Sequence, residues 1–542
     1  MKNLKLIILF TLIIPGRLML AQSGQGNAMG SITASELKNH LCFLAADEFM
    51  GRDTPSEELK IASRYLAVQA ESYGLQPVMP DGSFFQEIPL RTSRVAEKST
   101  YIMLIDKAEQ EAFRYGADFG LRNRSLEAGK VSGEMVFLGL GLHAPDKGWD
   151  DFDGMDIKNK VAIILDESLP SDHPIRSDMS GMILRRKSDS LVSYGASAVI
   201  YIISEERETI FKKKNYLFEN PVRGSVLSDT ILGNTGNSRS KFYEIEIRHS
   251  VAAEMLGISI EEIAELCKQI KNGEQVQSRD IPGSKLDIQI TTEKKIEFTR
   301  NVLAYVEGSD PNLKDEFIVY GAHYDHVGAR EGEIYNGAND NGSGSVALLE
   351  LAEAMVEAGP KRSVIFAWFT GEEKGLWGSE YFVHHPPVPY DKISAHINLD
   401  VISGDDPESI ALVGHTRLST ALDELVTRVN NVCCGMDLDN HFEEPGPSSR
   451  FFFMSDHYPF IQHGIPSVWL FNGPEPNVHR PTDTPGNIHY EKMENVTRLA
   501  FSIGLEIANR DKMLPLDVVP EITVRGAHNT DFDWSKVIGT GY

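Results

Sequence analysis

The chain has 542 residues, 41% hydrophobic and 24% charged, with a formal charge of −25. That length exceeds what one hydrophobic core usually supports, so two or more domains are expected. The composition excludes a disordered or membrane-filling chain, and the acidic balance disfavours nucleic acid and anionic membrane as partners.

The N-terminus reads Met1-Lys2-Asn3-Leu4-Lys5, then an apolar run from Leu6 to Pro15, then Leu18 to Ala21. A basic start, a short apolar stretch and a small residue near position 21 predict a signal peptide over 1–21 and an exported protein. The run is too short to span a bilayer comfortably, so no stable membrane insertion is expected once the leader is removed. Losing Lys2, Lys5 and Arg17 with it would bring the charge to −28. Cys42, Cys267, Cys433 and Cys434 are too few for a disulfide framework. They read as core or loop residues with room for one disulfide.

Helical spacing follows over Ser35–Ala46 and Ser56–Tyr73, with Ser35 and Ser56 as expected N-caps. This part, 22–98, is read as the N-terminal helical portion of a domain that resumes later. Between 99 and 288 the texture is β-rich. Val136–Leu140, Val161–Leu165 and Ala198–Ile202 are short apolar runs separated by Asp/Gly loops. The acidic loop Asp150–Asp156 lacks the spacing of an EF-hand and reads as a solvated turn. This stretch is expected to be an inserted accessory domain.

From 289 to 513 strands alternate with helices. Strands are expected at Val302–Val306, Phe317–Tyr320, Val364–Phe369, His396–Leu399 and Ser467–Leu470. Helices are expected at Ser343–Ala358, Gly378–His384, Leu418–Asn430 and Lys492–Ala508. The fold class is α/β, a helix-flanked and largely parallel sheet. The tail, 514–542, shows no clear period.

Residues with metal-ligand chemistry recur where these strands end, which is where α/β folds bind ligands. His323 lies in Tyr320-Gly321-Ala322-His323-Tyr324-Asp325-His326, and Asp340 in the small-residue loop Gly337–Gly344. Glu372-Glu373, Asp400 and His479 follow later strands. Imidazoles and carboxylates suit zinc. Strand alternation would set Asp325 beside the His323 ring, holding its orientation, and would turn His326 elsewhere. His323, Asp340, Glu373, Asp400 and His479 make one ligand too many for a tetrahedral site, but suit two zinc ions sharing a carboxylate. Glu372 would then be the free base that moves a proton from water to the leaving amine.

These motifs, with Ser455-Asp456-His457 and His479…Asp483-Thr484, resemble the co-catalytic zinc exopeptidases, a family of leucine-type aminopeptidases and glutamate carboxypeptidases. Leu44–Arg52 resembles that family's N-terminal helix region, and Val131–Glu205 a protease-associated insert. The resemblance implies His323 and Asp400 on one zinc, Glu373 and His479 on the other, Asp340 bridging and Glu372 as general base. It implies Asp325 as a supporting carboxylate, and Asp456, His457 and Tyr458 as lining the substrate pocket. Tyr458 is also a candidate oxyanion donor, since Val478 stands before His479. The expected activity is removal of N-terminal residues from peptides. Carboxypeptidase or dipeptidase action stays open through Arg417, Arg450 and Arg480. A glutaminyl-cyclase-like site and a non-catalytic binding protein of this fold are the remaining alternatives.

Overall fold

The computed structural model describes residues 27–106, 109–122, 127–177, 187–214, 217–227, 242–444 and 447–518. The expected leader and all but the first residues of the C-terminal tail lie outside them. Two compact units form, one of Met1–Leu90, Val226–Gly233 and Glu297–Tyr542, the other of Arg91–Ser225 and Asn234–Ile296. Among the described residues no helix is long and apolar enough to cross a membrane.

The first unit is built on four parallel strands in the order Ser363–Phe369, Phe317–His323, Ile393–Leu399 and Ser467–Phe471. Thr292–Val306 pairs antiparallel with the first of them and Ser409–Val413 with the last. Parallel strands are covered on both faces, which explains why these runs are apolar throughout. Alternate side chains go to opposite layers. Ile318, Tyr320 and Ala322 pack with the helices Ala34–Leu44, Gly344–Ala358 and Tyr490–Asn509. Val319, Ile365 and Phe369 pack with Phe382 and Phe460 on the other face.

The helix ends follow their chemistry. Ser56 caps Glu57–Ser72 by accepting from Leu59 N at 3.0 Å. The preceding helix starts earlier than its spacing predicts, because Thr33 and not Ser35 accepts from Glu36 N. Cys433 and Cys434 form a disulfide, whereas Cys42 is exposed and Cys267 buried, both as thiols.

The second unit is an eight-stranded, nearly closed sheet in the order Glu109–Arg114, Tyr101–Asp106, Arg279–Ile290, Gly129–Phe137, Val161–Leu165, Ala198–Ile202, Tyr243–Ile247 and Phe119–Leu121. A bridge from Tyr115 to Phe119 brings its two edges together. In the acidic loop, Asp151 is buried and not solvated. It accepts from Leu142 N, Trp149 Nε1 and Gln275 Nε2 at 3.0–3.1 Å.

Glu350, on Gly344–Ala358, is buried in the helical layer. Its Oε2 accepts from Thr33 N at 3.3 Å and its Oε1 has no hydrogen-bond partner. Burial is the main cause that pushes its carboxyl from 4.5 up to about 8, with the acids Glu36, Glu353 and Glu494 adding to it. Between those two values the folded chain keeps a proton that the unfolded chain loses, so this group's contribution falls as pH rises from 4.5 to 8. Glu350→Gln should therefore stabilise the protein by on the order of 2 kcal/mol at pH 8 and by almost nothing at pH 4. Denaturant unfolding at the two pH values tests this, and an equal effect at both would refute it.

Candidate functional site

The four parallel strands end at one edge, and their exits carry the predicted residues. His323 closes its strand, Asp400 follows Leu399, and Glu372 and Glu373 sit in a short turn after Phe369. His479 lies in the loop beyond Phe471. Asp340 comes from the loop that opens the helix Gly344–Ala358. Sequence order along the edge reverses around Phe317–His323, the kind of switch point where α/β sheets leave a crevice.

Two groups of donor atoms result, each within 4.8 Å: His323, Glu372 and Asp400, and His326, Asp340, Glu373 and His479. Asp340 faces both. Its Oδ1 is 3.4 Å from His323 Nε2 and its Oδ2 is 3.0 Å from His479 Nε2. His323 Nε2 is also 3.2 Å from Asp400 Oδ1 and 3.9 Å from Glu372 Oε2. His479 Nε2 lies 2.9 Å from Glu373 Oε1. The structure thus assembles all five expected ligands and the expected base in one place.

His326 corrects the sequence reading. It is fully buried, with Nδ1 2.9 Å from Glu373 Oε1. Strand alternation fails here because the strand stops at His323, and His326 N already bonds Arg52 O at 3.2 Å. Asp325 departs from expectation in detail. Its backbone carbonyl, 3.1 Å away, meets His323 Nδ1, while its carboxylate oxygen is 3.7 Å off. The carboxylate instead accepts from Glu372 N and Thr54 Oγ1, both at 3.1 Å. Asp325 therefore anchors the base as well as flanking the ring.

Residues without an assigned role hold the frame. Asp483 accepts from Asn339 N at 2.7 Å and from Asp340 N at 3.0 Å, fixing the bridging loop. Ser455 Oγ donates to Asp400 Oδ2 at 2.7 Å. Arg52 is fully buried and donates to the carbonyls of Tyr324, Leu44, Asn336 and Gly337 at 2.7–3.0 Å. Burial lowers it to about 10, against the pull of Asp483, Asp325, Asp340 and Glu373. It stays cationic at neutral pH. A lone Arg after a helix carries no sequence signal for such a clamp.

Of the expected pocket residues, the structure sets Asp456 apart. Burial raises its carboxyl to about 7, offset in part by His323 and reinforced by Asp400. Ser379 Oγ donates to its Oδ1 at 2.5 Å. His457 instead packs on Trp469 and Phe452, where burial lowers it to about 3. Tyr458 is nearly buried against Phe452 and Phe453, and its hydroxyl accepts from Gln462 Nε2 at 2.8 Å.

The charge of the site suits cations. Burial would lower His323, yet Asp400 and Glu372 hold it well above its usual range. Asp340 and Glu373 raise His479 to about 10. Burial, then Glu373 and Asp400, lift Glu372 well above the usual carboxylate range, His323 notwithstanding. Burial alone would raise Glu373 too, but His326 and His479 outweigh it and keep it ionised. Imidazoles and carboxylates spaced 2.9–3.4 Å apart across the set match the edge of a tetrahedron around zinc, about 3.3 Å for bonds of about 2.0 Å.

Residues 301–503 match the family model described as Peptidase family M28. Over this part the chain is similar to peptidase family M28. Among curated relatives, a probable leucine aminopeptidase 2 of Aspergillus oryzae is 29% identical over 229 residues, covering 41% of each chain. Leupeptin-inactivating enzyme 1 of Streptomyces exfoliatus is 34% identical over 176 residues, 32% of this chain and 36% of that one. The match thus spans about two-fifths of the length of these curated relatives. Two solved structures share the fold. They are the aminopeptidase from Aneurinibacillus sp. strain AM-1, at TM-score 0.51, 20% identity and coverage of 92% and 100%, and the zinc aminopeptidase BSAP of Bacillus subtilis, at 0.53, 18% and coverage of 89% and 96%.

Arg52→Met would leave four buried carbonyls without their donor and remove a buried positive charge from beside four carboxylates. We expect a loss of roughly 3 kcal/mol or more in unfolding free energy. An unchanged denaturation midpoint would remove Arg52 from its assigned role.

Proposed function

We propose that the protein is an exported aminopeptidase that holds two zinc ions and hydrolyses the first peptide bond of peptide substrates. The observation that carries this reading is Asp340, whose two oxygens face two separate donor groups with Glu372 beside them. His323 and Asp400 would hold one zinc, Glu373 and His479 the other, with Asp340 between. Bound there, the metals would polarise the scissile carbonyl and make water a nucleophile near neutral pH.

The chain's own groups account for the proton path. Glu372 is held through its backbone by Asp325, and its carboxylate lies at the rim of the first donor group. It would take a proton from water and hand it to the departing amine. His479 is about half exposed, at 52% of its side-chain surface, whereas its neighbours are buried, so substrate would enter from its side.

The amino-terminal reading draws on charge. With Asp340, Glu373 and Asp400 committed to the metals, Glu372 and Asp456 are the acids left to meet the substrate, and they favour an ammonium over a carboxylate. Arg417, one of three residues that kept carboxypeptidase action open, pairs with Glu443 at 2.9 Å and covers the Phe452 ring. The names of the relatives point the same way. Export is supported by the basic and then apolar start of the sequence.

Aminoacyl anilides with a free amine should be hydrolysed and their N-acetyl forms left intact, with chelator abolishing turnover. Cleavage of N-acetyl dipeptides with a free carboxylate, and not of the free-amine anilides, would favour the carboxypeptidase alternative. Glu372→Gln should lower kcat by roughly 10²–10⁴ while the protein keeps its metal, measured by elemental analysis. Full activity in that variant would disprove the assigned base.

A further inference from the structure

The second donor group contains one residue more than a shared two-zinc scheme requires. His326 is wholly buried beside Asp340, Glu373 and His479. Its Nδ1 lies 2.9 Å from Glu373 Oε1 and 3.8 Å from Asp340 Oδ2, and its ring meets the His479 ring edge-on at 5.4 Å. Despite that proximity, neither of its nitrogens makes a hydrogen bond of acceptable direction. A buried imidazole whose nitrogens make no directed hydrogen bond is costly to keep. Nδ1 lies beside the Glu373 oxygen without aiming at it, as happens when two donors converge on a third atom between them.

Gly337 packs directly against the ring. A Cβ on Gly337 would stand 2.4 Å from His326 Cγ, so the backbone of the bridging loop presses against the imidazole. That packing holds the ring against the donor group.

We propose that His326 is a fourth protein ligand of the second metal, so that the two sites differ. The second would be closed by His326, His479, Glu373 and Asp340. The first would have three protein ligands, His323, Asp400 and Asp340, and keep a position for water or substrate. Four protein ligands mark a structural zinc site and three mark a catalytic one. This inference rests on the two-metal reading above and divides the labour within it. The metal beside His326 would hold Asp340 and Glu373 in place, and the metal beside Glu372 would serve the reaction.

The test is metal binding by the full chain, with His326→Phe to keep the ring's bulk without its nitrogens. Metal-free protein would be titrated with Zn²⁺ against a chromophoric chelator, and with Co²⁺ for its visible absorption. The wild type should bind two ions of distinct affinity. His326→Phe should bind the weaker ion as before and the tighter one at least tenfold less tightly, with loss of the intense band of four-coordinate Co²⁺. Two ions bound with unchanged affinity and spectrum would overturn the proposal and leave the two-metal reading standing. A wild type that binds no metal would overturn both. His326→Gln and the melting point of each metal-free variant guard against misfolding. Weakened binding in only those variants whose metal-free melting point falls would also count against a ligand role.

Discussion

Four carboxylates are forced together at the end of a buried sheet, and the rest of the catalytic unit answers to that crowding. Asp340 lies within reach of three imidazoles, Glu373 of two, and Glu372 and Asp400 of one each. In water they would repel only weakly, but burial strengthens every charge–charge interaction. The surroundings therefore supply positive charge and hydrogen-bond donors: Arg52 below the loop, Ser455 on Asp400, and main-chain N–H groups on Asp325 and Asp483. Such an arrangement holds together when cations join it, which is the physical core of the metallopeptidase reading.

Close backbone packing gives the donors their positions. A Cβ on Gly344 would sit 2.1 Å from Leu399 O, so only glycine lets the bridging loop approach the strand that presents Asp400. Non-glycine residues with positive φ gather here too. Arg52, Leu376, Val401 and His479 have φ between 50° and 63°. Val401, branched at Cβ and directly after Asp400, is an especially costly place for that conformation. Strain of this kind persists where surrounding contacts over-determine the backbone. Here those contacts include Asn339 with Ser403 at 2.7 and 3.0 Å, and Asn341 with Leu399 O at 2.9 Å.

Much of this was readable from sequence where a single physical rule dominates. Val161–Leu165 and Ala198–Ile202 match their expected bounds because a strand buried on both faces must be apolar at every position. The ligand residues were legible because they follow such strands. Arg279–Ile290 and the first half of Thr292–Val306 escaped, since half-exposed strands that mix charged and polar residues with apolar ones do not declare themselves by hydrophobicity. His326 was misplaced because alternation was carried three residues beyond the strand's end. The Arg52 clamp was hidden for another reason. Its partners are backbone carbonyls far away in sequence, which leave no side-chain pattern to find.

That separation has a bearing on how the molecule is made. Arg52 bonds Gly337 across 285 positions, with the whole of the second unit translated in between. Contacts so distant in sequence slow folding, because the chain must close a long loop before they form. During synthesis the first two helices would emerge and wait, their apolar faces without the strands that later cover them. The intervening unit has its own core and can fold meanwhile, shortening the effective loop. Nascent chains released before residue 337 should therefore expose those helices and be drawn to chaperones.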